Sequence, residues 1–210
     1  MSSNDRNERR IHIDFKPNKS IDNTSNLFFI GSCFGEEIHK KMIEIGHSNS
    51  ISNPFGTIFH PIPLLENLER IVLNKTCTAE EIYTQTNSES ASYHHLQLAY
   101  KFHNTNKTDL LDHINQVTEA AHKQLHLSSH LFITLGTAWH YKHLPTHQIV
   151  GNCHKLPQAQ FQKSLSHQAE IKQATQSICN LIKTHLPNMQ LIFTISPVKH
   201  LRDGLAENLT

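Results

Sequence analysis

A hydroxyl and a thiol stand side by side in Gly31-Ser32-Cys33-Phe34-Gly35, directly after the unbroken apolar run Leu27-Phe28-Phe29-Ile30. Such a run reads as a short strand covered on both faces. Gly31 and Gly35 flank a tight turn, where glycine adopts backbone angles other residues avoid. From Phe34 the apolar period changes, and Phe34, Ile38, Met42 and Ile45 predict the inward face of a helix that stops near Gly46. Glu36 and Glu37 in the first turn, with Lys40 and Lys41 beyond, suit the helix dipole. A serine at such a corner faces the free N–H groups of a helix N-terminus, which favour an anion. Ser32 is therefore a candidate nucleophile whose oxyanion would be stabilised partly by backbone amides. The plainer alternative is that Ser32 only caps the helix.

Further chemistry-bearing groups fall where other strands should end. Asn53-Pro54-Phe55-Gly56-Thr57 is a turn after the weaker strand candidate Ser48–Ser52, and Gly56 permits close backbone approach. Gly136-Thr137-Ala138 follows the apolar run Leu131–Leu135, and Ser196-Pro197-Val198-Lys199-His200 follows Leu191–Ile195. Asn152-Cys153-His154-Lys155 gathers an amide, a thiol, an imidazole and an amine within four positions. Ser92-Tyr93-His94-His95 is a lesser group, read most simply as a surface turn.

The elements between these groups are helical. Pro61–Asn74 has Ile62, Leu65, Leu68 and Val72 in step, with Pro63 in the first turn. Asp109–Leu127 has Leu110, Ile114, Val117, Ala121 and Leu125 on one face, with Thr108 as a candidate cap. A helix running to Leu186 buries Ile171, Ile178 and Leu181, with Ser166 as its expected cap. Residues 75–107 are polar and ambiguous, either short strands or a surface excursion, and residues 1–22 read as a mobile lead-in in which Ile11–Phe15 alternates like an edge strand. Strands alternating with helices imply a parallel sheet, with all the strand ends on one edge.

Composition narrows the function classes. Lys+Arg number 19 and Asp+Glu 18, so neither a nucleic-acid nor an anionic-membrane partner is expected. Four scattered cysteines without a Cys-x-x-Cys pair suit a reducing compartment, and no apolar leader or membrane-length run is present, so a cytoplasmic protein is expected. The 18 histidines are numerous, yet spread along the chain, and read mostly as solvated polar residues; His122 and His126 share a helical face without further ligands. No metal or cofactor is expected.

Taken in order, these segments resemble the GSCFA family, a branch of the SGNH (GDSL-like) hydrolase superfamily. The resemblance rests on Gly31-Ser32-Cys33-Phe34 (with Gly35 where the family often has Ala), Asn53-Pro54-Phe55-Gly56, Thr134–Trp139, Asn152–Pro157 and Ser196–Gly204. It implies a flavodoxin-like three-layer α/β/α sandwich with a mainly parallel sheet, and ester or acyl chemistry with Ser32 as nucleophile. In the superfamily the oxyanion is held by the nucleophile's own N–H, a Gly N–H and an Asn side chain. The counterparts here are Gly56 and the Gly136-Thr137 block, with Asn152 supplying the amide if its loop folds back; Asn53 and His154 complete the expected binding set. The superfamily's Asp-x-x-His block, which supplies the base, would lie beyond residue 210, so residues 23–210 read as a domain incomplete at its C-terminus and with weak or no catalysis. His200, near Asp203, is the substitute base within the chain, although a base must come within hydrogen-bond reach of Ser32. The expected substrate is a small-molecule or carbohydrate acyl ester; the oligomeric state is left open. The alternatives are a non-catalytic binding or partner module and a Cys/His site built from Cys33, Cys153 and His154.

Overall fold

The run Leu27–Gly31 forms β1, a strand with all five residues buried. A computed structural model describes residues 20–86 and 90–195 of the chain. The expected edge strand at Ile11–Phe15 and the segment carrying His200 and Asp203 lie outside the described residues.

After β1 come α1 (Cys33–Glu44), β2 (Ser50–Ser52) and α2 (Pro61–Val72). Pro61 opens α2, where a missing N–H costs nothing, and the His60 ring nitrogen Nδ1 accepts the Ile62 N–H as the cap. The ambiguous polar stretch folds as a small antiparallel sheet of β3 (Tyr83–Thr86), β4 (Ala91–His94) and β5 (His103–Asn104). Ser92-Tyr93-His94 is thus strand rather than surface turn, with His95 directly after it, and His94 and His95 are buried. The next helix, α3 (Lys107–Leu127), is capped by Asn106 rather than Thr108: the Asn106 carboxamide oxygen accepts the N–H groups of Thr108 and Asp109. Then follow β6 (His130–Leu135), the antiparallel strands β7 (Trp139–His143), β8 (Gln148–Val150) and β9 (Phe161–Leu165), α4 (Gln168–His185) and β10 (Gln190–Ile195).

The main sheet is parallel with strand order β10-β6-β1-β2. From β1 the chain moves outward to β2, then returns to the other side of β1 for β6. The winding direction therefore reverses between β1 and β6, the crevice where α/β sheets bind ligands. Alternate residues face opposite ways. Phe28, Ile30, Leu131 and Ile133 join one cluster with Leu64, Leu68 and Ile71 of α2, Ile114 and Ala121 of α3, and Ile178 and Ile182 of α4. At about 1.5–3 kcal/mol per fully buried large apolar side chain, this face anchors the sheet. On the other face Phe29 stacks on Phe132 with ring centroids 4.7 Å apart, and His39 of α1 packs beside Phe29.

The structure changes three further expectations. Phe34 of α1 and Ile45, its C-terminal cap, point outward, 51% and 76% exposed, while Gly35 is buried against Phe29 and Thr134. The helix sits so close to the sheet that its smallest residue, not its largest, fills the contact. Ser166 does not cap α4; the cap position is His167, and the Ser166 hydroxyl bonds to two imidazoles. The histidines are not mostly solvated: His47, His60, His94, His95, His130, His143 and His154 are buried. A neutral imidazole carries one donor and one acceptor on a flat apolar ring, so it packs inside when the backbone supplies a partner. Among the described residues, no helix is long and apolar enough to cross a membrane.

Candidate active site

Ser32 sits at the cap position of α1, at the carboxyl end of β1, and is 5% exposed. Its side chain makes no capping hydrogen bond. Its backbone is held instead. The Ser32 N–H is shared between the carbonyl and the hydroxyl oxygen of Thr134 on β6, both at 2.8 Å. The Thr134 hydroxyl lies 3.5 Å from the Ile30 carbonyl and 3.4 Å from the Ser32 carbonyl, either of which accepts its proton. Gly31 adopts φ +129°, and a Cβ there would stand 2.3 Å from the Thr134 carbonyl oxygen. Only glycine lets β1 turn into α1 this close to β6.

Asn53, buried and at φ +42°, ties the corner from the other side. Its side-chain oxygen accepts the Gly31 N–H at 2.8 Å, and its amide donates to the Ser32 carbonyl at 3.3 Å and the Glu36 carboxylate at 3.1 Å. Asparagine tolerates left-handed backbone and offers both a donor and an acceptor, which this position uses together. The loop that follows runs over the ends of β1 and β6: the Ile58 N–H donates to Gly31 and the Gly136 N–H to Phe59. One loop thus bridges the two strand ends that flank the point of reversal.

The other expected residues sit around this corner at different removes. The Gly56 N–H closes the turn onto the Asn53 carbonyl at 2.8 Å, and its α-carbon packs against Ala99. Gly136 packs under the Phe59 ring, and the Thr137 hydroxyl accepts the Trp139 N–H. Asn152 lies on a loop held to Leu96, next to Gly151, whose α-carbon approaches Ile58. The Asn152 side-chain oxygen accepts the His154 N–H at 2.8 Å. His154 is 2% exposed, its Nε2 faces the Leu98 carbonyl at 3.0 Å, and burial holds its pKa down to about 4. It is a neutral packing residue among His94 and Tyr100. Of the expected set, among the described residues, Asn53 alone is hydrogen-bonded directly to Gly31 and Ser32.

Two contributors were not singled out from sequence. Thr134 is the first residue of the family-like block Thr134–Trp139 but carries no role from the sequence; its place one residue before the end of β6, opposite Gly31, is what brings it to Ser32. Glu36 was read as a dipole partner, and it also receives the Asn53 amide. At the corner, the N–H groups of Cys33 and Phe34 occupy the first two helical positions, which have no intrahelical acceptor. An anionic oxygen would find its donors there.

Cys33, Cys153 and His154 do not assemble. Among the described residues, the group close enough to share a cation is Cys77, Glu81 and His95. The Arg70 guanidinium already pairs with Glu81 and lies 3.5 Å from the His95 ring. Burial raises the Cys77 thiol to about 12, so a neutral thiol beside a fixed positive charge is a poor cation site.

No curated protein and no solved structure matches the chain. A family model does, over residues 26–210, a span that begins just before β1 and includes every group assembled above. The chain belongs to the GSCFA family.

Proposed function

We propose that the protein is an SGNH-type ester hydrolase or acyltransferase in which Ser32 is the nucleophile and forms an acyl-enzyme. The supporting observation is that Ser32 occupies a helix cap position with a hydroxyl that does no capping. A serine placed where caps occur, but not used as one, is left available for another partner. The strand order supports a flavodoxin-like three-layer sandwich, with Ser32 at the reversal point between β1 and β6. Ser32 Oγ attacks the acyl carbonyl, and the developing oxyanion faces the Cys33 and Phe34 N–H groups. Gly56, Gly136, Thr137 and Asn152 belong to the loops around this corner, Asn53 fixes it, and His154 packs behind the Asn152 loop. The superfamily's base block has no counterpart within the chain; His200 is the substitute candidate and lies outside the described residues, so turnover is expected to be weak. The substrate class is a small or carbohydrate acyl ester, and the setting is the cytoplasm.

The test is hydrolysis of p-nitrophenyl acetate by the protein and by Ser32→Ala. Loss of the enzyme-dependent rate supports Ser32 as nucleophile; an unchanged rate rejects it. A second reading, a binding module that retains the corner without turnover, is favoured by one fact. The Ser32 N–H, which would be an oxyanion donor, is already given to Thr134. Acyl-ester binding without turnover would select that reading.

A further inference from the structure

We propose that Ser166 and His140 form a second nucleophile–base pair, able to take up an acyl group from an activated ester independently of Ser32. The pair lies where β9 passes into α4. The Ser166 N–H donates to the Ala138 carbonyl at 3.0 Å, continuing the β7–β9 ladder past Trp139 opposite Leu165. His140 faces Ser164 in that register, so His140 and Ser166 are diagonal neighbours on one face of the sheet.

Proton directions follow from His60. Its Nδ1 accepts the Ile62 N–H at the start of α2, so its own proton resides on Nε2, 3.1 Å from Ser166 Oγ. Burial holds the His60 pKa down to about 4, which keeps the ring neutral. A hydroxyl has one proton. With its oxygen accepting from His60, Ser166 gives that proton to His140 Nδ1, 2.8 Å away. A serine O–H directed at an imidazole lone pair is the arrangement of an activated hydroxyl. His60 is a positioning residue, since it acts through Ser166. Burial lowers the His140 pKa, which keeps its Nδ1 lone pair free to take a proton, and the charge of Glu170, whose carboxylate accepts the His167 N–H at 2.8 Å, offsets this in part. Ser166 is itself buried, 8% exposed, between two chain neighbours that reach solvent, Leu165, 46% exposed, and the exposed His167.

The step balances. Ser166 Oγ bonds to the acyl carbon as its proton passes to His140 Nδ1; the bond from that carbon to the leaving oxygen breaks, and the departing alcohol takes the proton. Acyl-Ser166 and a neutral His140 remain. If the three side chains were only a tie between α2, β7 and β9, either proton direction would serve and no reactivity would follow.

The experiment is labelling of the intact protein with a fluorophosphonate, which bonds serine oxygen to phosphorus and releases fluoride. Tryptic digestion and mass spectrometry follow. Ser166 falls in the peptide of residues 164–172 and Ser32 in that of residues 20–40, so the two sites are read separately. The expected result is an adduct on residues 164–172 that is absent in Ser166→Ala. Its rate of formation falls about 100-fold or more in His140→Gln, the size of effect expected from losing a positioned base. No adduct on that peptide in the folded wild-type protein overturns the pair, whatever happens at Ser32. An adduct that forms equally fast in His140→Gln overturns it too. Modification of Ser32, or its absence, bears only on the Ser32 mechanism.

Discussion

Replacing Gly31 by alanine tests whether the β1–α1 corner is held by backbone contact with β6. Two costs add. A side chain at φ +129° forces a sparsely populated backbone state, at about 1–3 kcal/mol. The new Cβ also meets the Thr134 carbonyl oxygen at 2.3 Å and its hydroxyl at 2.8 Å. A backbone carbonyl in a four-strand sheet cannot swing aside, and overpacking of this kind costs a further ~1–3 kcal/mol. Gly46→Ala isolates the second term, because Gly46 is also left-handed, φ +86°, yet a Cβ there meets nothing within 4 Å. Urea unfolding of both variants, followed by circular dichroism at constant m, gives the comparison. Gly31→Ala should lose about 2–6 kcal/mol and exceed the loss in Gly46→Ala by at least about 1 kcal/mol. If the two variants lose the same amount, the corner relaxes freely and the Thr134 clamp on Ser32 is not what positions it.

Ser32→Ala should change stability by less than about 0.5 kcal/mol, because no cap bond is lost, whereas Asn106→Ala should cost about 1 kcal/mol; thermal melts of the pair measure the contrast. Acid should weaken the fold through His60 and His154, both held near pKa 4 by burial. Their folded pKa values lie below the unfolded value of about 6.5, so the unfolded chain takes up protons first as pH falls. Stability from each is therefore complete above about pH 6.5 and is lost towards pH 4, by up to about 3 kcal/mol per histidine. Urea midpoints between pH 7 and 5 should fall, and His154→Gln should flatten the slope; a steeper slope would contradict the assignment. Arg70→Met should cost about 1–3 kcal/mol, since Arg70 is nearly buried against Glu81, while that carboxylate is a third exposed and keeps the Thr78 N–H and the neighbouring His95. Denaturant titration at neutral pH measures it, and a neutral outcome would mean that water replaces the guanidinium.

Much of the layout was legible from local patterns. Leu27–Ile30 and Leu131–Leu135 are unbroken apolar runs, and a strand buried on both faces has few other ways to be encoded. The α2 and α3 periods placed Leu68, Ile114 and Ala121 inward because a long helix repeats its signal over several turns. The weak patterns failed. Residues 75–107 and 139–165 hold two small antiparallel sheets, whose short, half-exposed strands carry Gln, Thr, His and Lys without strict alternation. The α1 face was misjudged because Phe34 and Ile45 outweigh Gly35 in any hydrophobic count, while the contact with β6 selects for smallness.

By itself the sequence determined that a serine would stand at a strand-to-helix corner, with other small and polar residues at the ends of parallel strands. Those facts are local: each depends on a few neighbouring residues and on backbone geometry near them. The tertiary structure alone decided that Thr134 and Asn53 would take up the polar groups around Ser32, that His154 would be a neutral packing residue, and that His60 and His140 would share Ser166. Partners separated by 21 to 106 positions meet only when strand order and register bring them together, and no local period encodes that order.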